Sequence, residues 1–397
     1  MNTLSNRLQN LSPSATFAMS QKSTELKAQG IDVINMSVGE PDFNTPDHIK
    51  AAAKQAVDDN WSRYSPVTGY LDLRKAICEK LLKENGLEFE PSQIVVSNGA
   101  KQAITNTVMA LVNPGDEVII PAPYWVSYPQ MVKLAEGTPV HIPAPIEQDF
   151  KITAEQLEAA ITPKTKLIIL CTPCNPTGSV YTPDDLKALA EVIVKHEGVY
   201  VISDEIYEHI NYSDKTISIA SLPGMKERTI VINGVSKAYA MTGWRIGFSA
   251  APAWITKGIN MLQGQYTSGP CSLSQKISQV AWEADQQCVE DMRVVFERRR
   301  DLIVKLAREI PGLEVNVPQG AFYLFPKCSS FFGKKDGDRV INTSTDLAMY
   351  LLEVGHVATV GGDAFGSPEC FRMSYATSDE NIIEALRRIK ETLARLK

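Results

Sequence analysis

Between positions 94 and 250 the apolar residues come in short unbroken runs, separated by stretches with helical spacing. Ile94-Val95-Val96 leads into a helical pattern from about Lys101. Glu117-Val118-Ile119-Ile120 leads into one after Trp125, and Leu167–Leu170 into one after Pro183. Tyr200-Val201-Ile202, Ile230-Val231-Ile232 and Ile246-Gly247-Phe248 follow. A strand wet on one face alternates apolar and polar residues, whereas a strand covered on both faces is apolar throughout. The runs therefore predict a mostly parallel sheet between helical layers, an α/β domain.

Beyond Pro270 the pattern changes to longer helices, with Glu290 to Glu309 strongly amphipathic. Leu313-Glu314-Val315 and Phe322-Tyr323-Leu324-Phe325 read as strands, and Glu380 to Leu396 as a closing helix. This is a second α/β unit. A chain of 397 residues exceeds the size at which one core usually keeps growing, which also favours two domains. There are no internal repeats, and 333–338 is a short polar loop.

Apolar residues make up 44% and charged residues 22%, ordinary values for a soluble globular chain. A net charge of −6 leaves no electrostatic footprint for nucleic acid, and Arg298-Arg299-Arg300 reads as one solvated helix turn. No apolar stretch approaches the roughly 18 residues of a membrane span. Met1 to Ser14 lacks the apolar core of a secretory signal. Seven cysteines in a chain this long do not form a disulfide framework. Cys171 and Cys174 spell C-x-x-C, but no second pair or histidine cluster completes a metal site, and they read as incidental to the loop they flank. The expectation is a reduced, cytoplasmic protein with no metal, nucleic-acid or membrane partner.

The chemistry gathers in the loops. Lys237 lies in Ser236-Lys237-Ala238, and Arg245 closes Met241-Thr242-Gly243-Trp244-Arg245, placing an amine near an anion-binding cation. Asp204 and Tyr207 end the apolar strand Val201-Ile202-Ser203. Asn175 opens Asn175-Pro176-Thr177-Gly178 after another strand, and Arg372 lies in Phe371-Arg372-Met373-Ser374. Each has an ordinary alternative: a solvated lysine, a strand-end acid, a turn-forming asparagine. Gly99-Ala100-Lys101 opens a helix just after a strand, where free backbone N–H groups bind anions well.

With Gly39-Glu40-Pro41-Asp42-Phe43, Tyr64 followed by Gly69 and Leu73-Arg74, and Pro123-Tyr124-Trp125, these segments run from Pro13 to the terminal helix. In that order and spacing the chain resembles the fold-type I, class I aminotransferases that depend on pyridoxal 5′-phosphate. It is most similar to their bacterial aspartate aminotransferase subgroup. The resemblance implies a large domain over 46–288 and a discontinuous small domain from 1–45 and 289–397. It implies that Lys237 joins the cofactor aldehyde and, once freed, moves a proton at the substrate Cα. Asp204 would pair with the pyridine nitrogen, and Tyr207, with Asn175, would donate to the phenolic oxygen. Gly99, Ala100, Lys101, Ser236 and Arg245 would hold the phosphate. Trp125 would stack on the ring, against the plainer alternative of core packing. Tyr64 would reach the phosphate of a neighbouring subunit, making a homodimer with shared active sites.

For the amino-acid and 2-oxo-acid substrates, the resemblance implies that Arg372 grips the α-carboxylate with its planar fork, beside the Gly39 backbone, Trp125 and Asn175. A dicarboxylate needs a second cation. The animal-type subgroup takes an arginine ahead of Tyr266-Thr267-Ser268-Gly269-Pro270, but this chain has no arginine between Arg245 and Arg293. The bacterial subgroup uses the lysine matching Lys101, helped by Ser14 and Thr16. The alternative for Lys101 is to balance the phosphate or cap its helix. The expected reaction moves the amino group between L-aspartate and 2-oxoglutarate, giving oxaloacetate and L-glutamate. Aromatic amino acids, alanine or prephenate are alternatives, as is elimination by a lyase on the same residues. A cofactor-sensing regulator would need a DNA-binding domain, for which Met1 to Asp42 is too short.

Overall fold

A computed structural model describes residues 4–213 and 216–397. A two-residue strand, β1 (Ile34–Asn35), precedes a central sheet of seven: β2 (Ile94–Ser97), β3 (Glu117–Ala122), β4 (Thr138–Pro143), β5 (Thr165–Cys171), β6 (Tyr200–Asp204), β7 (Thr229–Gly234) and β8 (Gly247–Ala250). Their order is β2-β8-β7-β6-β5-β3-β4, and only β8 runs antiparallel to its neighbours. The apolar runs are explained by burial on both sides. Val95, Ile120, Ile169, Ile202 and Ile232 pack with the helices Ala100–Leu111, Tyr128–Leu134 and Ala253–Tyr266. On the opposite face Ile94, Val96, Val231 and Phe248 meet Leu71–Asn85 and Ser272–Glu283. There too, Ile119, Ile168, Leu170 and Val201 meet Pro183–Ile193.

Local signals agree with these elements. Thr182 caps the helix at Pro183 by accepting from the Asp185 N–H at 3.1 Å, while Asp185 accepts from the Thr182 N–H at 2.8 Å. Such a reciprocal cap contributes about 1 kcal/mol.

A second core joins the helices Gln287–Arg308, Ser344–Glu353 and Asp379–Leu393 to β9 (Tyr323–Leu324) and the strand Phe371–Ser374. Ile34 and Met36 are buried in this core, and β1 pairs in parallel with Val357–Ala358. The segment Gly39–Phe43 is pinned to the same unit, because Arg299 donates to both oxygens of Asp42 at 2.7 and 3.0 Å and Phe43 meets Phe296 edge-on.

Two expected strands are shorter than their apolar residues suggest. Leu313-Glu314-Val315 makes a single bridge, Glu314 to Lys327, between Pro311 and Pro318. Within the Phe322–Phe325 run only Tyr323 and Leu324 pair as a ladder; Pro326, with no N–H, interrupts it, and pairing resumes as a single bridge from Lys327 to Cys370. The closing helix ends at Leu393 rather than Leu396. No helix among the described residues is long and apolar enough to cross a membrane.

Candidate active site

The parallel strands β2, β3, β5, β6 and β7 all end at one edge of the sheet, and the approach to antiparallel β8 meets them there. Loops at the carboxyl ends of such strands are where an open α/β sheet leaves a crevice. Here the crevice is a cavity of 570 Å³ closed by the N-terminal segment and by residues of the second core.

Thirteen of the fifteen residues singled out above line it: Ser14, Thr16, Gly39, Ala100, Lys101, Trp125, Asn175, Asp204, Tyr207, Ser236, Lys237, Arg245 and Arg372. Gly99 stands just behind, where a Cβ would run into the Arg245 guanidinium, and its φ of +83° is one that glycine adopts without strain. Tyr64 is the outlier. Its side chain is fully exposed and does not line the cavity of its own chain.

Lys237 follows β7 and donates to the Gly39 carbonyl at 2.6 Å. Burial pulls its pKa down to about 8, against the charge of Glu40, and the Arg372 and Arg245 guanidinium groups push the same way as burial. Asp204 ends β6 in register with Cys171 of β5. Burial raises its carboxyl to about 6, opposed by a hydrogen bond from Tyr128, by the Ile206 N–H and by Lys237. The site therefore holds an amine less basic than a surface lysine beside an acid less acidic than a surface aspartate.

Arg372 is 2% exposed and lies over Tyr323 and Phe365, 4.6 and 4.9 Å from their ring centroids. One terminal nitrogen donates to Asn175 Oδ1 at 2.8 Å and the other to the Ser37 carbonyl at 2.6 Å, leaving Nε buried without a partner among the described residues. Two anchors hold the fork from behind, as recognition of a planar carboxylate requires. In the same cavity Lys101 Nζ is 4.9 Å from the centre of the Trp125 ring. Burial, then the charge of Arg245, lowers its pKa. Arg245 donates to the Thr242 and Asn98 carbonyls at 2.8 and 3.3 Å. It faces the first turn of Ala100–Leu111, whose leading N–H groups have no intrahelical acceptor.

Sequence reasoning missed Tyr128 and Tyr323. The Tyr323 hydroxyl lies 2.8 Å from that of Tyr207 and against the Gly39 backbone. A tyrosine inside a buried strand needs a partner for its hydroxyl, which was the available signal. Cys171 is also more than a loop accessory, for it is buried and lines the cavity. Outside the cavity Glu84, Glu208 and His209 cluster closely enough to suggest a metal site. Lys80, Asn85 and Asn233 already occupy the Glu208 oxygens, so the cluster is an internal ion-pair network.

A lysine of lowered basicity, a buried acid, a cradle of free N–H groups with an arginine, and a flat aromatic wall suit one cofactor. Gly99 lets the Arg245 guanidinium come close to this helix turn, a setting that fits a phosphate, and the buried acid Asp204 fits a protonated ring nitrogen. The fold and this site define a pyridoxal-phosphate-dependent transaminase. The chain belongs to the class I and II aminotransferases, whose family model matches residues 31–389. It is 48% identical over 390 residues to a probable aspartate/prephenate aminotransferase of Rhizobium leguminosarum, covering 98% of each chain. Among solved structures, an aspartate aminotransferase of Rhizobium meliloti superposes with a TM-score of 0.96 at 44% identity over the whole of both chains. The Thermus thermophilus aspartate aminotransferase with maleate matches at 0.93 and 40% identity, over 99% of this chain and 100% of that one.

Proposed function

We propose that the protein is an aspartate aminotransferase, moving the amino group between L-aspartate and 2-oxoglutarate to give oxaloacetate and L-glutamate. The observation that carries this reading is the pair of cations in one cavity, Arg372 and Lys101. A dicarboxylate offers two anions, and an apolar or aromatic side chain would leave Lys101 unpaired. The names of similar proteins point the same way. Prephenate is the second reading, because the relative from Rhizobium leguminosarum carries it in its name and prephenate also bears two carboxylates.

When bound, pyridoxal phosphate supplies an electron sink for charge developing at the substrate Cα. The residues of the chain do the rest. Lys237 would anchor the cofactor and, once free, would carry the proton from the substrate Cα to the cofactor's C4′ carbon. Its lowered pKa suits that role, since an ammonium cannot accept a proton. Asp204 keeps the pyridine nitrogen protonated. Tyr207 and the Asn175 amide nitrogen donate to the phenolic oxygen, the Asn175 oxygen being committed to Arg372. The N–H groups after Gly99, with Ser236 and Arg245, hold the phosphate, and Trp125 covers the ring. Arg372 takes the α-carboxylate beside Gly39. Lys101, with Ser14 and Thr16, takes the side-chain carboxylate.

Full exposure of Tyr64 outside its own cavity suits a role at the phosphate of a second copy of this chain, and hence a homodimer. We also place the large domain at 46–288 and the small one at 1–45 and 289–397, with the protein in the cytoplasm. The test is a set of half-reactions followed by cofactor absorbance, using aspartate, glutamate, alanine, tyrosine, phenylalanine and arogenate. Fast conversion to the pyridoxamine form by aspartate and glutamate supports the proposal. Faster conversion by alanine or an aromatic amino acid sinks it.

A further inference from the structure

Asp204 is buried, and its two oxygens are treated unequally. Oδ1 accepts the Ile206 N–H at 3.3 Å, a long contact. Oδ2 accepts the Tyr128 hydroxyl at 2.5 Å, the only side-chain hydrogen bond that Asp204 receives among the described residues. Tyr128 is 1% exposed, and its ring meets Trp125 edge-on at 5.4 Å. The ring is fixed by packing and the hydroxyl is spent on one carboxylate oxygen. The ionisable groups facing Asp204 are Tyr128 from the helix Tyr128–Leu134, Cys171 and Cys174 from β5 and the loop after it, and Lys237 from the turn after β7.

We propose that Tyr128 is a positioning residue for Asp204, holding its carboxylate in one rotamer and in the charged form so that the shared proton stays on the cofactor's pyridine nitrogen. This rests on the assignment of Asp204 to that nitrogen made above. Two bases compete for one proton there. A buried carboxylate without donors would win more of it, and the ring would lose the positive charge that draws electrons from Cα. A hydrogen bond to the ionised carboxylate favours the anion and leaves the proton with nitrogen. The phenol is suited to donate without ionising, since burial and the neighbouring Asp204 charge push its own pKa well above the ordinary tyrosine value.

Tyr128→Phe keeps the ring against Trp125 and removes only the hydroxyl. In the cofactor-free protein, a titration of Asp204 followed through isotope-labelled aspartate should show a carboxyl that binds its proton roughly ten- to hundredfold more tightly than in the wild type. In the holoenzyme, the resonance of an isotope-labelled pyridine nitrogen should move toward the unprotonated position. With aspartate, kcat should fall roughly tenfold or more while KM stays within about twofold. A ring-fluorinated tyrosine at position 128, a stronger donor of nearly the same shape, should move both signals the opposite way, which a packing role would not do. An unchanged carboxyl titration or an unchanged nitrogen resonance in Tyr128→Phe overturns the proposal. A wild-type holoenzyme whose ring nitrogen carries no proton overturns the assignment of Asp204 itself, a result distinguishable because the carboxyl titration is read without cofactor.

Discussion

Lys101→Ala tests the substrate assignment at its most specific point. Lys101 is in the first turn of Ala100–Leu111, its ammonium is 4.9 Å from the centre of the Trp125 ring, and it shares the cavity with Arg372. A hydrogen bond between an ammonium and a carboxylate contributes about 1.5–3 kcal/mol when water is kept out. The Lys101 side chain keeps substantial solvent contact although its neighbours partly desolvate the ammonium, so solvent screens the pair and the low end applies, about 1.5 kcal/mol or roughly tenfold. The variant also loses the cation over Trp125, about 0.5–1 kcal/mol, but every substrate feels that loss alike.

The informative quantity is therefore a ratio. Steady-state kinetics should show kcat/KM for aspartate and for 2-oxoglutarate falling roughly tenfold relative to phenylalanine, with most of the change in KM. A ratio within about twofold of the wild type refutes the assignment of Lys101 to the side-chain carboxylate. If cofactor affinity fell in step, measured by equilibrium dialysis, Lys101 would instead be balancing the phosphate.

Arg372→Lys should lower kcat/KM by roughly tenfold or more for every amino acid, because an ammonium cannot keep both rear anchors and still present a fork; a loss confined to dicarboxylates in a substrate panel would contradict this. Asp204→Asn should stabilise the cofactor-free protein at pH above about 6, because the folded carboxyl has been raised from 3.8 to about 6 and its ionisation opposes folding there. The shift corresponds to about 3 kcal/mol, a figure that already includes the hydrogen bonds from Tyr128 and the Ile206 N–H. The gain should disappear as pH falls through about 3.8, where the folded and unfolded carboxyl are both protonated, and urea denaturation at several pH values reads it. Gly99→Ala should weaken cofactor binding roughly tenfold in dialysis, since its φ of +83° disfavours a side chain and the new methyl meets the Arg245 guanidinium.

Six strands of the central sheet were legible because they are buried on both faces, so no alternation blurs the runs; the edge strand β4, largely open to solvent, carries no such run and was not read. The site was legible for a related reason, since its residues follow those runs. Lys237 comes three residues after Gly234, Trp125 three after Ala122 and Asn175 four after Cys171, while Asp204 ends its own strand. A reader who places the strand ends has placed the loops. The antiparallel course of β8 was not legible, because an apolar run carries no direction. The short pairing at Glu314 and at Tyr323–Leu324 was not legible from apolar content either, and was set by proline, backbone and register.

What sequence could not supply is the partner of a buried hydroxyl. Tyr128 reads as one more aromatic residue at the start of a short helix, 76 positions from the carboxylate it touches. Tyr323 reads as a strand residue, yet its hydroxyl contacts Tyr207 and its ring lies under Arg372. Both contacts arise only in the folded chain, one where the helix Tyr128–Leu134 meets the end of β6 and the other where β9 of the second core meets the loop after β6. Both act on groups that the motifs do reveal, Asp204 in one case and Arg372 with Tyr207 in the other. A motif therefore names the groups that meet the ligand, while some of the groups that set their charge and aim come from elsewhere in the chain. For Asp204 that tuning resides in a side chain with no motif of its own, so exchanging Tyr128 should alter the behaviour of Asp204 while every signature residue stays in place.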